Sequence, residues 1–298
     1  MTRLTAHDFD QELLILFDAY VHGGIDRRTF LDRAAKFAVG GVTAAMLLEQ
    51  LSPNFAAAQQ IRTDDHRINP EYIEFDSPAG YGKGRGYFVR PAGATGKLPG
   101  ILVIHENRGL NPHIEDITRR LALDNFVAFA PDALFPLGGY PGTEDGARTL
   151  FPQLDRAKTQ EDFVAAAGFL RARPECTGRI GAVGFCYGGG MVNFLATRLG
   201  GGLAAGVAFY GSAPNLADVP KIRARMMIQS AEVDQRINES WPAYEEALKA
   251  AGVGYERHLY PGTQHGFNND TTPRYDAEAA KLAWGRTVAF FNAHVRAG

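Results

Sequence analysis

The run RIGAVGFCYGGG at residues 179–190 constrains this chain more than any other feature. An apolar stretch of strand length ends in Gly184-Phe185-Cys186-Tyr187-Gly188, and the glycines continue through Gly190 into a helical pattern. A nucleophile at the centre of such a G-x-C-x-G pattern sits on a sharp turn from strand to helix. Larger side chains at the flanking positions would collide with neighbouring backbone there. The start of the helix adds partial positive charge, which stabilises a thiolate and an oxyanion. A free cysteine is ordinarily a small buried hydrophobe, but this setting makes Cys186 a nucleophile. Cys176 has no such setting and reads as packing. The two stand on either side of the predicted strand, too far apart for a disulfide, and are expected as free thiols.

From about residue 70 the pattern alternates around that turn. Strands are predicted at residues 73–76, 85–90, 101–105, 126–130, 179–185, 206–210, 225–230 and 256–260. Helices are predicted at residues 112–123, 161–171, 188–198, 241–251 and 275–294. This alternation argues for the α/β class, with a mostly parallel central sheet and helices on both faces. In such sheets the site lies beyond the carboxyl ends of the strands. The formal net charge of −2 gives no footprint for nucleic acid, and the chain carries no signal of oligomeric state.

The residues directly after the strands supply candidates. A cysteine nucleophile needs a base, and in this kind of sheet the chain order is nucleophile, acid, histidine. Of the histidines beyond residue 186, His258 falls inside a predicted strand and His294 at the exposed end of the last helix. His265 lies between glycine-bearing turns in PGTQHGF, residues 261–267, and is the expected base. Glu232 and Asp234 both follow the preceding strand; Asp234 sits deeper in the loop and is preferred as the acid that orients the histidine. After the strand at 101–105 comes Glu106-Asn107-Arg108-Gly109. The backbone amides of Asn107 and Tyr187 are the expected oxyanion donors. Glu106 is positioned either to hydrogen-bond the cysteine or to pair with Arg108.

These pieces together resemble the dienelactone hydrolase family. They are His105-Glu106, Ala130-Pro131-Asp132, GFCYGG at 184–189, Asp234 and His265-Gly266-Phe267. The resemblance spans roughly residues 70–295 and implies an α/β-hydrolase fold. It also implies a Cys186–His265–Asp234 triad, with Glu106 as partner of the resting cysteine, and no metal or organic cofactor. The implied substrate is a small ester or lactone. The arginines that hold the substrate carboxylate in dienelactone enzymes are missing from residues 266–270 and 133–137, which puts an anionic dienelactone in doubt. Arg108 and Arg236 are the candidate substitutes, and Phe135 and Phe267 the apolar candidates for substrate contact. Two rival readings are a peroxide-handling redox enzyme working through Cys186 and a non-catalytic binding module on the same fold.

Residues 1–58 form an extension, followed by a polar linker at 59–70 and the catalytic domain at 71–298. Arg27-Arg28-Thr29-Phe30-Leu31, a moderately apolar run and Ala56-Ala57-Ala58 resemble a twin-arginine signal for export to the periplasm. The competing reading is a retained pair of amphipathic helices on a cytoplasmic protein. The apolar run is too short for a stable membrane span.

Overall fold

The computed structural model describes residues 4–296. Four helices precede the sheet: α1 (Gln11–Val21), α2 (Arg27–Ala34), α3 (Ala44–Leu51) and the short α4 (Phe55–Ala58). Each begins at a side chain that caps its free amides. Asp10 accepts from Glu12, Asp26 from Thr29, Thr43 from Met46 and Asn54 from Ala57. The apolar run after the twin arginines is not one helix. It breaks at Gly40 and Gly41, both at positive φ, before α3 starts. Leu13, Leu14, Phe17, Tyr20, Phe30, Leu47, Leu48 and Leu51 bury against one another, giving the extension its own small core. Among the described residues no helix is long and apolar enough to cross a membrane.

The catalytic part is an eight-stranded sheet in the order β1-β2-β4-β3-β5-β6-β7-β8. Its strands are β1 (Ile68–Ser77), β2 (Gly82–Pro91), β3 (Leu98–Ile104), β4 (Val127–Pro131), β5 (Cys176–Phe185), β6 (Ala205–Phe209), β7 (Arg225–Val233) and β8 (Tyr255–Gln264). The β1–β2 and β2–β4 pairs are antiparallel and all others parallel. The intervening helices are α5 (Pro112–Leu123), α6 (Glu144–Leu150), α7 (Arg156–Ala172), α8 (Tyr187–Leu199), the short α9 (Gln235–Asn238), α10 (Trp241–Ala250) and α11 (Ala277–Phe291). Helices α5 and α11 cover one face through Ile114, Ile117, Leu121 and Phe291. Helices α7, α8 and α10 cover the other through Phe163, Leu170, Leu195 and Leu248. Strand β3 is buried from Pro99 onward and β5 from Ile180, as parallel strands covered on both faces must be.

Three expectations need correction. The linker at 59–70 is not free. The amides of Gln60 and Ile61 donate to the Asp116 carboxylate, Arg119 Nε donates to the Ile61 carbonyl at 2.8 Å, and β1 already begins at Ile68. Pro70 is tolerated because β1 is an edge strand. Helix α6 was not expected at all. His294 is half-buried rather than exposed, with its ring 4.6 Å from that of Phe290.

Candidate active site

The site begins with the turn between β5 and α8. Cys186 has φ 55° and ψ −111°, a strained conformation for a non-glycine residue. Its amide donates to the Phe209 carbonyl at 3.0 Å, tying the turn to β6. The flanking glycines are required by contact. A Cβ on Gly184 would lie 2.1 Å from the Gly188 carbonyl oxygen, and one on Gly188 2.2 Å from that of Ile104. The backbone amide of Tyr187 opens α8 and is among the donors a helix start leaves without an intrahelical partner.

The loops after β7 and β8 bring in the acid and the base. Asp234 and His265 are both buried, and His265 Nδ1 donates to Asp234 Oδ2 at 2.6 Å. Glu232, the other candidate acid, instead accepts from the Gly262 amide at 2.7 Å. His258 stays within β8 and faces Glu256 at 3.4 Å. Cys186 and Cys176 are both free, at opposite ends of β5.

A second histidine stands at the cysteine. His22, just after α1, places Nε2 3.3 Å from Cys186 Sγ. Its Nδ1 lies 2.8 Å from the Asp18 carbonyl and 3.2 Å from the Asp18 carboxylate. The His22 and His265 rings meet edge to face at 4.8 Å. Burial pushes the Cys186 thiol up, but the His265 and His22 rings beside it overcome that and bring it down to about 6. Burial disfavours the charged form of His265, yet the Cys186 thiolate and Asp234 hold it up at about 9. His22 is likewise held at about 10, against burial, by Asp18 and Cys186. One thiol sulfur and one ring nitrogen from each histidine lie within 4.8 Å of one another. An aspartate backs each imidazole. That donor set suits a thiophilic divalent ion as well as nucleophilic catalysis.

A cavity of about 640 Å³ opens over the cysteine, between the extension and the sheet. Tyr20, His22 and Met46 wall it from the extension; Arg108, His265 and Arg274 wall it from the catalytic part. The loop after β3 is pinned by His105, which is buried, accepts from the Ala133 amide at 3.1 Å and is pushed down to about 4 by burial. Asn107 and Arg108 from this loop both donate to the Val21 carbonyl, at 3.1 and 2.8 Å.

Several expected contacts differ. Glu106 lines the cavity, but its carboxylate accepts from Asn269 Nδ2 at 2.9 Å; among the described residues it has no hydrogen bond to Cys186 and no ion pair with Arg108. Arg108 faces Glu144 at 3.5 Å instead. Phe135 is not at the cavity; the Arg85 guanidinium sits over its ring. Phe267 is fully buried, packed on Tyr210 and Tyr260 behind His265, because its side chain turns into the core while His265, two residues earlier, lines the cavity. Arg236 reaches the site's edge, with Nη2 3.3 Å from His22 Nε2.

Three residues at the site carried no motif in the sequence. His22 sits at a helix end in the extension. Arg274 comes late in the loop after β8, beyond the 266–270 stretch that holds a carboxylate-binding arginine in dienelactone enzymes. Tyr210 follows β6 at φ 37°, its ring 4.9 Å from that of His265 and its buried hydroxyl without a hydrogen-bond partner among the described residues. Position after a strand could have flagged Tyr210; for His22 the sequence offers only Asp18 four residues earlier, and for Arg274 no signal.

A mostly parallel sheet with a cysteine on a strained strand-to-helix turn, followed in chain order by a paired aspartate and histidine, defines an α/β-hydrolase. A profile of the dienelactone hydrolase family matches residues 85–295. The chain belongs to that family and is a hydrolase. A second profile, YqhI-like, matches residues 1–36. "Putative hydrolase fragment YghX" of Escherichia coli is 50% identical over 114 residues, covering 38% of this chain and 97% of that protein. "Putative carboxymethylenebutenolidase" of Synechocystis is 31% identical, covering 71% of this chain and 92% of the relative. Among solved structures, a dienelactone hydrolase described as putative from Klebsiella pneumoniae superposes with a TM-score of 0.66 at 26% identity, over 76% of this chain and all of its own.

Proposed function

We propose that the protein hydrolyses a small carboxylic ester or lactone through a thioester on Cys186. The observation that carries this is the Asp234–His265 hydrogen bond of 2.6 Å, with the His265 ring in the same cluster as the Cys186 sulfur. The Cys186 thiolate attacks the carbonyl carbon, forming a C–S bond as the π pair moves onto oxygen. The Asn107 and Tyr187 amides donate to that oxyanion. As it collapses, the C–O bond breaks and protonated His265 gives its proton to the leaving oxygen. Water then attacks the thioester, His265 takes its proton, and the C–S bond breaks to return the thiolate and release the acid. For a lactone the leaving hydroxyl stays on the same molecule. Because thiolate is itself a good leaving group, lactones, enol esters and activated esters are favoured over amides. The name of the Synechocystis relative favours lactones among these.

The test is turnover of a small activated aryl ester and a panel of lactones by wild type and Cys186→Ala. Turnover that disappears in the variant supports the reading; equal rates overturn it. The cysteine-based redox reading is disfavoured because Cys176 lies a full strand away, roughly 30 Å at 3.3 Å per residue, leaving no resolving thiol near Cys186.

The packing of residues 4–58 on the catalytic part supports retention of the extension over its removal as an export signal. Asp26 caps the helix that carries Arg27 and Arg28, and Arg27 Nε faces Asp145 at 3.5 Å. Protein sequencing of the mature amino terminus from the native cell tests this: a start beyond residue 58 would refute retention.

A further inference from the structure

We infer that His22, backed by Asp18, is a second catalytic histidine on Cys186, delivered to the active site by the N-terminal extension. This rests on the reading of Cys186 as the nucleophile. The cysteine stands between two aspartate-backed imidazoles. Asp234–His265 comes from the loops after β7 and β8, and Asp18–His22 from the end of α1. With Nδ1 donating to Asp18, His22 turns Nε2 to sulfur, where it accepts the thiol proton and then donates to the resulting thiolate.

The catalytic part holds this end of α1 in place with three of its own side chains. Asn107 and Arg108 both donate to the Val21 carbonyl, the residue before His22. Arg274, itself buried, donates to Asp18 Oδ1 at 3.1 Å and so fixes the aspartate behind the ring. The carbonyl end of an eleven-residue helix adds partial negative charge where the imidazole becomes positive.

The role follows from what each histidine faces. His22 takes the thiol proton: the S–H bond breaks, an N–H bond forms at Nε2, and the electron pair stays on sulfur. His265 is then free to serve the leaving oxygen and the water. The groups facing His22 are Asp18 on α1, Cys186 at the turn, His265 and Arg274 beyond β8, and Arg236 on α9. The two arginines oppose its protonation, and the carboxylate and thiolate favour it. In this arrangement His22 occupies the position beside the cysteine that the family resemblance implies for Glu106, which is engaged with Asn269.

The experiment titrates the cysteine itself, so it does not depend on knowing the substrate. In the full-length chain carrying Cys176→Ala, the rate of Cys186 alkylation by iodoacetamide is followed from pH 5 to 10. Thiolate absorbance at 240 nm is recorded alongside. His22→Gln is expected to raise the titration midpoint by at least one pH unit and so to slow alkylation at pH 6 about fivefold or more. Asp18→Asn should shift it the same way by less. In His22→Gly, added imidazole should restore both fast alkylation and ester turnover, which a purely structural role would not allow. An unchanged midpoint in His22→Gln with α1 amide protection intact overturns the inference, as does His22→Gly that ignores imidazole. Ester turnover surviving in Cys186→Ala would instead sink the nucleophile reading, while the thiol titration would still report the His22 pairing.

Discussion

Replacing Phe30 by alanine separates the extension from the rest of the molecule. Phe30 is fully buried, and its ring lies 5.4 Å from that of Tyr20 and 6.2 Å from that of Phe17, so it is the largest side chain by which α2 packs on α1, with Ala34 and Leu31 beside it. The cluster it belongs to is distinct from the two cores on the sheet faces. Truncating a buried phenylalanine costs about 3–5 kcal/mol, with the cavity term added to the lost transfer energy. The remaining grip on the catalytic part is mostly polar. Tyr20 Oη donates to Asp145 at 2.5 Å, and Arg274 and Arg108 hold Asp18 and Val21. Such contacts contribute only about 0.5–3 kcal/mol each. The lower bound of about 3 kcal/mol raises the open population of the extension by about 140-fold, since each 1.4 kcal/mol is a factor of ten. Hydrogen exchange by mass spectrometry reads this directly. Amides in α1–α3 should exchange at least 100-fold faster in Phe30→Ala, while β5 and α8 keep wild-type protection. Cys186 alkylation at pH 6 should slow in parallel, because α1 carries His22. Equal acceleration in β5 would show that the extension is no separate unit. Unchanged exchange in α1–α3 would refute the packing argument outright.

Asp234→Asn, which breaks the pair that sets the His265 tautomer, should lower kcat/KM for an activated ester by roughly 10³–10⁴; a loss under tenfold would remove Asp234 from the mechanism. The pH profile of kcat/KM should be a bell. Cys186 is depressed to about 6, so thiolate is lost as pH falls through that value. His265 is raised to about 9, so its proton for the leaving oxygen is lost as pH rises through it. The two limbs belong to the coupled cluster rather than to single residues, and a profile still rising at pH 10 would contradict the assignment. Titration with a disulfide reagent at pH 7 should show one fast thiol that Cys186→Ala abolishes. Cys176 is buried and pushed up by burial and should react only on unfolding.

The sheet and its turn were legible because local chemistry and global position agree there. Helix α5 was read to its last residue: Asn111 caps it, Pro112 fills the first turn, and Asn125 at φ 62° ends it in a left-handed step. Cys186, Asp234 and His265 each follow a parallel strand directly, so alternation alone places them at one edge of the sheet. Where reading failed, the deciding interaction was long-range or belonged to the backbone. Phe267 lies two residues after the histidine, yet Gly266 between them sits at φ 85° and turns the chain, and the Phe267 ring fills the core under β8. Arg274 lines the cavity because the long loop before α11 folds back over the site, a path that no local pattern encodes.

His22 shows why a site can be half invisible. It lies 164 residues before Cys186, outside every motif, on a segment whose arginine pair points the reading toward export. Its docking uses the Val21 carbonyl, a group every residue carries, so no residue type marks the acceptor. What the sequence does hold is Asp18 four positions before His22, a spacing that brings two side chains together at the end of a helix. The same spacing is common on solvated helix faces. Only the fold turns it into a site, by aiming that helix end at a strained cysteine. The extension and the catalytic part therefore have to be read as one active site. Deleting residues 1–58 should cost Cys186 its reactivity at pH 6 even where the sheet remains folded.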